Sequence, residues 1–318
     1  MTQLGYCCIN MYLREMSITV NRSCKKNTFE KKGIEYVSKL ALQNIRDLIE
    51  IINWNDRNDF KVYRMSSDMF PWMSNYELND LPDFRKISML LRGVGMLAQK
   101  YNQRLSFHPN WFVVLGSPVE SAVIKSIKEI NQHAEIMDLM GLPQSRHYPI
   151  NIHCNGTYGN KHATLERWCA NYLRTSESAQ KRLVIENDDK PHMYSVRDLY
   201  DGVFSQVYVP ITFDYHHHRF QSGGLSEREA FELAMSTWQY YNIKPLFHYS
   251  SCRRTFEDPK CKAQAHSDMI YEKINDYGYS VDIDVEAKAK ELAILKYREN
   301  HTTLLENYLS FDMKNAII

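Results

Sequence analysis

The sequence lacks the paired cysteines that a disulfide framework or a zinc knuckle needs. Its seven cysteines, at 7, 8, 24, 154, 169, 252 and 261, are odd in number and contain no Cys-x-x-Cys, so reduced thiols and an intracellular setting, cytosol or nucleus, are expected. No apolar run approaches the ~20 residues of a membrane span, and the opening MTQLGYCCINMYLRE lacks the basic-then-apolar layout of a secretory signal. A soluble chain is expected. No Gly-x-Gly-x-x-Gly follows the first strand-like run and no Gly-rich loop precedes Lys-Ser/Thr, which weighs against Rossmann and P-loop nucleotide folds. An excess of one charge is missing as well. With 39 Lys+Arg against 38 Asp+Glu the net charge is +1, which excludes a protein that holds nucleic acid by a uniformly basic surface and leaves a neutral body with local basic loops.

What is present is a chain of 318 residues, 44% hydrophobic, long enough to bury a full core. Eight short runs rich in β-branched and aromatic residues recur: LGYCCI from Leu4, FKVYRM from Phe60, RLSF from Arg104, PINIH from Pro149, RLVIE from Arg182, QVYVPITFD from Gln206, KPLFH from Lys244 and SVDIDVE from Ser280. Between them lie stretches with helical spacing of apolar residues, Ile34–Asn53, Pro82–Tyr101, Ser121–Met140, His162–Leu173, Ser226–Tyr241 and Ala263–Tyr277. A short helix is expected over Ser195–Asp201, and a C-terminal helix within about 287–318. Eight βα units in a chain of this size predict an α/β fold, a single (β/α)8 TIM barrel spanning 1–318, with an insertion-rich first loop at Asn21–Lys32.

In such a barrel the C-terminal ends of the strands form the catalytic face. The residues closing the runs are Tyr6 and Asn10, Ser66-Ser67-Asp68, His108, His153, Glu186, Asp214 followed by His216, His217 and His218, His248, and Glu286, with His266 in the loop after the seventh. Carboxylates and imidazoles converging on one rim are costly unless divalent cations neutralise the first and order the second. Mixed His/Asp/Glu ligation suits Zn2+, Mn2+ or Fe2+ better than Mg2+ or Ca2+. Glu186, midway round the ring, has the position to bridge two ions, as in polynuclear centres that hydrolyse phosphodiesters. Plainer readings stand beside this one. A strand-end histidine can be a hydrogen-bonded structural residue, Asp214 a helix cap, His216–His218 a solvated loop, and Glu186–Asp189 a polar turn.

With LGYCCIN, YRMSSDMFPWMSN, RLSFHP, VIENDD, FDYHHH and VDIDVEAKAKE in order from about Leu4 to Glu291, the chain resembles the UV damage endonucleases. The resemblance implies a metal-dependent DNA repair endonuclease on a TIM barrel, related to endonuclease IV. Such an enzyme nicks double-stranded DNA 5′ to UV photoproducts, cyclobutane pyrimidine dimers and 6-4 photoproducts, leaving 3′-hydroxyl and 5′-phosphate ends. It implies a metal shell of His108, His153, Glu186, Asp214, His217, His248, His266 and Glu286, holding two or three Mn2+ ions, with Zn2+ or another divalent transition ion as alternatives. Glu186, Asp214 and Glu286 are the catalytic candidates. Tyr6 matches the aromatic with which the family probes a damaged base pair, Asn10 lies in the same motif, and Lys288 matches a basic family position.

Three positions depart from the family pattern. After the third strand the family commonly reads His-Pro-Gly-Gln-Tyr/Phe, where this chain has His108-Pro109-Asn110-Trp111-Phe112. Trp111 and Phe112 are then the probing candidates, an indole standing where a hydrogen-bonding amide is usual; packing under the loop is the other reading of Trp111. Asn75 stands where members have a histidine, and Leu246 where some carry a modified lysine.

Basic residues concentrate in two stretches, a surplus of +4 over Val20–Leu40 and +2 over Ser251–His266, which can meet phosphates. A photoproduct weakens stacking, so aromatic insertion meets less resistance there than at intact steps. UV-damaged duplex DNA is the expected partner of a monomer; no membrane and no protein partner is implied. The alternatives are a metal-dependent sugar isomerase or epimerase on the same fold, and a damage-binding protein with an impaired centre.

Overall fold

The computed structural model describes residues 1–300. Eight strands form: β1 (Gln3–Cys7), β2 (Val62–Arg64), β3 (Arg104–Ser106), β4 (Ile150–His153), β5 (Leu183–Glu186), β6 (Ile211–Thr212), β7 (Leu246–Tyr249) and β8 (Asp282–Val285). All pair in parallel, in a five-stranded sheet ordered β3-β2-β1-β8-β7 and a three-stranded sheet ordered β4-β5-β6. Single parallel bridges join Phe107 to Ile150 and Asp214 to His248, one at each junction between the sheets.

The larger sheet is strongly curled. Arg104 on β3 donates to Asp282 on β8 at 3.0 Å and Ser106 to Asp284 at 3.2 Å, although β2 and β1 lie between those strands. Side chains alternate across a strand, so Arg104, Ser106 and His108 share one face with a vertical repeat of two, as do Asp282, Asp284 and Glu286. That face is the concave one, and it is polar in ascending layers. Gly5 sits where β1 approaches β2 so closely that a Cβ would collide with the Val62 carbonyl.

The long helix Lys26–Arg57 covers the outside of the sheet with Val37, Ala41, Ile45, Leu48 and Ile52, a 4-4-3-4 spacing on one stripe, all fully buried. Each large aliphatic on that stripe contributes about 1.5–3 kcal/mol by leaving water. Helices Phe84–Lys100, Glu120–Met140, Lys161–Tyr172 and Glu227–Gln239 complete the outer layer, the last opened by a Ser226/Glu229 capping box.

Four expectations are corrected. The stretch Asn21–Lys32 is not an open loop, because the helix begins at Lys26 and bends at Gly33, whose φ of +67° a residue without Cβ accepts. The run from Gln206 yields only the two residues of β6; Ser205–Val207 is helical and Tyr208 turns the chain at φ 55°. The expected helix Ala263–Tyr277 does not form. Its backbone donors are taken elsewhere: Ser267 N–H by the Ser251 carbonyl, Asp268 N–H by Glu257, Tyr271 N–H by the Ser251 hydroxyl and Ile274 N–H by the Tyr297 hydroxyl, so tertiary partners override helical periodicity. Near Ser195 the chain is helical from Val196 to Val207 through a π-helical turn at Tyr200–Phe204, longer than expected. The C-terminal helix covers 291–300, and its expected continuation lies outside the described residues. No helix of the described residues is long and apolar enough to cross a membrane.

Candidate metal centre and nucleic-acid face

Glu186 closes β5 fully buried, and four imidazoles from other elements surround its carboxylate. His108 Nε2 lies 3.1 Å away, His248 Nδ1 3.1 Å, His217 Nδ1 3.2 Å and His153 Nε2 3.7 Å. His108–Glu186–His248 and His153–Glu186–His217 are two groups of ligand-type atoms, each within 4.8 Å of one another, with Glu186 common to both. Glu286 joins through His248 at 3.5 Å and His266 at 3.4 Å. Parallel strand ends from both sheets thus deliver the donors to one rim.

The electrostatics reflect that crowding. Burial alone would raise the Glu186 carboxyl; His248 and His153 outweigh it and hold the group well below the usual carboxylate range. Burial disfavours the His153 imidazolium, yet Glu186 and Asp188 push it up to about 9. His217 and His248 are likewise raised against burial, by Asp214 and Glu186 and by Glu186 and Glu286. In His108 burial wins and lowers it. Asp214 and Asp284 are raised, burial again the largest cause. The protein alone thus keeps protons on several imidazoles to balance its carboxylates; divalent cations perform the same neutralisation and take the freed lone pairs. The donor set fits such ions. Glu186 Oε1, Asp214 Oδ2, Asp284 Oδ1 and His248 Nδ1 are buried without a hydrogen-bond partner, which is costly for polar atoms that nothing else coordinates.

Asp214 has two tasks. Its Oδ1 caps the helix Tyr215–His218 by accepting from the His217 backbone N–H at 2.7 Å, while Oδ2 stays uncommitted; the His217 ring is held by the Asn187 carbonyl, 2.9 Å from Nδ1. The histidine run is buried throughout, so it is not a solvated loop: His216 packs against His266 with ring centroids 5.3 Å apart, and His218 against Phe213 at 5.5 Å.

Sequence reasoning missed a supporting layer. Asn151 donates to Glu186, Arg64 to Glu286, and Asp188 pairs with His153 Nδ1 at 3.3 Å. Asn187 exchanges side-chain bonds with the Asp214 backbone at 2.8 and 3.1 Å, tying β5 to β6. The signal was available: Ser106, Asn151 and Asp284 each stand two residues before a strand-end candidate, on the same face by strand alternation. Arg64 likewise stands two residues before Ser66, which closes the second run, but its pairing with Glu286 depends on the strand order.

Two candidates are corrected. Tyr6 is fully buried; its hydroxyl donates to Asn55 Oδ1 at 2.6 Å and accepts from Asn10 Nδ2 at 2.9 Å, and burial pushes the phenol well up. A ring packed between Phe60 and Tyr63 does not face DNA. Asn10 is 1% exposed and caps the helix Met11–Glu15, so it holds the first loop together. Asn75 is exposed and lines a recess with Asp68 and Glu129 that includes no member of the two Glu186 groups. Lys288 is exposed on the turn after β8. Leu246 is buried, while Lys244 bonds Asp282 at 2.5 Å at the opposite end of the strands.

A cavity of about 440 Å3 opens over the ring, walled by Arg64, His108, Trp111, His217 and Glu286 among others. Trp111 is 82% exposed and Phe112 43%, so the indole does not pack under its loop.

The sequence model of the family described as UV-endonuclease UvdE matches residues 2–309. The chain belongs to this family. It is 34% identical over 303 residues to the UV-damage endonuclease of Schizosaccharomyces pombe, covering 92% of this chain and 50% of that protein. It is 31% identical to a putative UV-damage endonuclease of Acanthamoeba polyphaga mimivirus, covering 92% and 89%, and 30% identical to the UV DNA damage endonuclease of Bacillus mycoides, covering 89% and 87%. The chain therefore spans about half the length of the yeast relative. The crystal structure of SacUVDE matches with a TM-score of 0.81 at 28% identity over 96% of this chain and 99% of that one. A D-psicose 3-epimerase of Clostridium cellulolyticum matches at 0.51 with 13% identity, a likeness of fold alone. The ring around Glu186 is the candidate centre of this UvdE family member.

One buried acid outside that ring has a measurable consequence. Glu129, 3% exposed, is pushed up to about 7 by burial and by Asp68. Because its folded value lies above its unfolded one, its stabilising contribution is full below the unfolded value and is lost as pH rises through about 7. Glu129→Gln is expected to flatten that loss, so chemical denaturation should find the variant gaining on the parent between pH 6 and pH 8, that is, across about two units around the folded value. Parallel stability curves would contradict the assignment.

Proposed function

We propose that this chain is a metal-dependent DNA repair endonuclease on one closed (β/α)8 barrel domain. It nicks double-stranded DNA on the 5′ side of UV photoproducts and leaves 3′-hydroxyl and 5′-phosphate ends. The observation that carries the reading is the sharing of one buried carboxylate, Glu186, by two imidazole pairs. Glu186, His108 and His248 would hold one ion, Glu186, His153 and His217 a second, and Glu286 with His266 a third; two or three Mn2+ ions are expected. Such ions, when bound, polarise a phosphodiester and neutralise charge on its attacking and leaving oxygens.

The chain's own residues do the rest. Asn151 fixes one Glu186 oxygen and leaves the other free for ligation. Arg64, at the cavity wall, offsets the charge of Glu286 and presents a guanidinium toward a backbone phosphate. Trp111 and Phe112 supply the surface that meets an unstacked base step, so selectivity comes from deformability of the lesion. Lys288 and the basic residues between Val20 and Leu40 supply phosphate contacts without making the whole surface basic. The chain is proposed to act as a monomer.

The Mn2+-supplied chain is expected to cut a duplex bearing one cyclobutane pyrimidine dimer and to leave the undamaged duplex intact. Chelation should abolish cutting and Mn2+ restore it. Lesion binding without cutting in any metal would contradict the reading in favour of a damage-binding protein, and turnover of a ketose in favour of an epimerase. Trp111→Ala is expected to weaken lesion affinity by about 1–3 kcal/mol, the worth of one stacked base, with little change on undamaged duplex; equal affinity for both, measured by fluorescence anisotropy, would remove Trp111 from recognition.

A further inference from the structure

We propose that Asp284 is a positioning residue whose carboxylate takes the Nε2–H of His248, so that the ring presents Nδ1 to a cation held with Glu186. The inference rests on the metal-centre reading and concerns a residue outside the ligand set assigned there.

The placement follows from strand register. β7 and β8 run parallel with His248 opposite Asp284, so both side chains stand in one row on the concave face. On its own strand the residue beneath His248 is Leu246, which is buried and offers no polar side-chain atom. An acceptor for the lower edge of the ring must therefore come from a neighbouring strand. The two ring nitrogens meet different partners. Nδ1 lies 3.1 Å from Glu186 and 3.5 Å from Glu286, whereas Nε2 lies 3.9 Å from Asp284 Oδ2. That last contact is electrostatic rather than a hydrogen bond, and a shift of less than about 1 Å by the ring closes it.

Both groups are shut off from solvent, His248 1% exposed and Asp284 0%. Burying a carboxylate is costly unless donors or a cation compensate it. Ser106 donates to Oδ2 at 3.2 Å, and Oδ1 has no hydrogen-bond partner. One hydroxyl does not offset a buried anion; the ring N–H of His248 supplies the second donor. A neutral imidazole has one donor and one acceptor nitrogen, and the bond made by the first decides which lone pair is left for an ion. A carboxylate behind a ligating imidazole fixes the ring in this way and makes the ligating nitrogen more basic. Asp284 on Nε2 thus commits Nδ1, the nitrogen beside Glu186, to the ion. Ser106 on β3 in turn anchors the Asp284 oxygen from across the concave face.

The test loads the chelator-stripped full chain with Zn2+ for NMR of its nitrogen-labelled histidine rings and, separately, titrates it with Mn2+ by calorimetry. The loaded parent is expected to show His248 ligated through Nδ1 with a proton on Nε2. Asp284→Ala should lower the affinity for one ion of the set about 10–100-fold, leave the others unaltered and let His248 turn to ligate through Nε2. Asp284→Asn, whose amide oxygen still accepts the Nε2–H, should restore the ring signature of the parent. If Asp284→Ala does not fold, Ser106→Ala is expected to lower the same affinity in smaller measure. A parent ligated through Nε2 overturns the proposal and leaves the metal centre standing. So do an unaltered affinity and ring signature in folded Asp284→Ala or, failing that variant, an unaltered affinity in Ser106→Ala. A parent that takes up no ion removes both this inference and the reading beneath it.

Discussion

Glu186→Gln is expected to lower single-turnover nicking of a dimer-containing duplex by at least about 10³-fold, with DNA affinity unchanged. The substitution keeps the shape of the side chain and one carbonyl oxygen, but replaces an anion shared by His108, His153, His217 and His248 with a neutral amide that cannot bridge two cations. The affinity readout separates this from unfolding, because Trp111 and the basic loops proposed to meet DNA lie outside the ring. A structural role for Glu186 predicts the opposite. Gln can accept from Asn151 as Glu does, and a variant that folds and still turns over would remove Glu186 from the chemistry.

Arg104→Met is expected to cost about 3–5 kcal/mol of folding stability, the usual penalty for breaking a buried ion pair by removing one partner. The guanidinium is 2% exposed. It donates to Asp282 at 3.0 Å and to the carbonyls of His147, Lys244, Pro245 and Arg146 at 2.7, 2.8, 3.1 and 3.2 Å. It thereby ties the floor of the concave face to the loops before β4 and β7. Lys244, 2.5 Å from Asp282, keeps that carboxylate partly compensated, so the lower half of the range is expected in urea unfolding. A loss under about 1 kcal/mol would place the pair among those worth no more than surface bridges. Nicking by the folded fraction should be unaffected, since Arg104 lies two layers below His108.

How much of this was legible in the sequence follows from what the chemistry repeats. Strand runs such as PINIH and RLVIE are short, β-branched and closed by a polar residue, and they became β4 and β5 with His153 and Glu186 at their ends. The outer helices carry one apolar stripe each and were readable for the same reason. Local pattern failed where distant groups capture the backbone, as at 263–277, whose apolar spacing is helical but whose N–H groups bond Ser251, Glu257 and Tyr297. It failed again for Tyr6 and Asn10, because a residue at a strand end can point outward from the concave face, and the sequence does not say which parity a strand adopts. Period-two spacing from His108, His153 and Glu286 would have revealed Ser106, Asn151 and Asp284. The same spacing from Ser66 marks Arg64, although its partner Glu286 follows only from β8 lying two strands away.

The ring around Glu186 is tested most directly by titrating the chelated full chain with Mn2+ while counting bound ions and measuring nicking of one dimer-containing duplex in the same samples. Two or three tightly held ions per chain, with nicking absent before the first and complete once the sites fill, is the predicted result. Full nicking by the stripped protein, or a chain that takes up no ions, would contradict it.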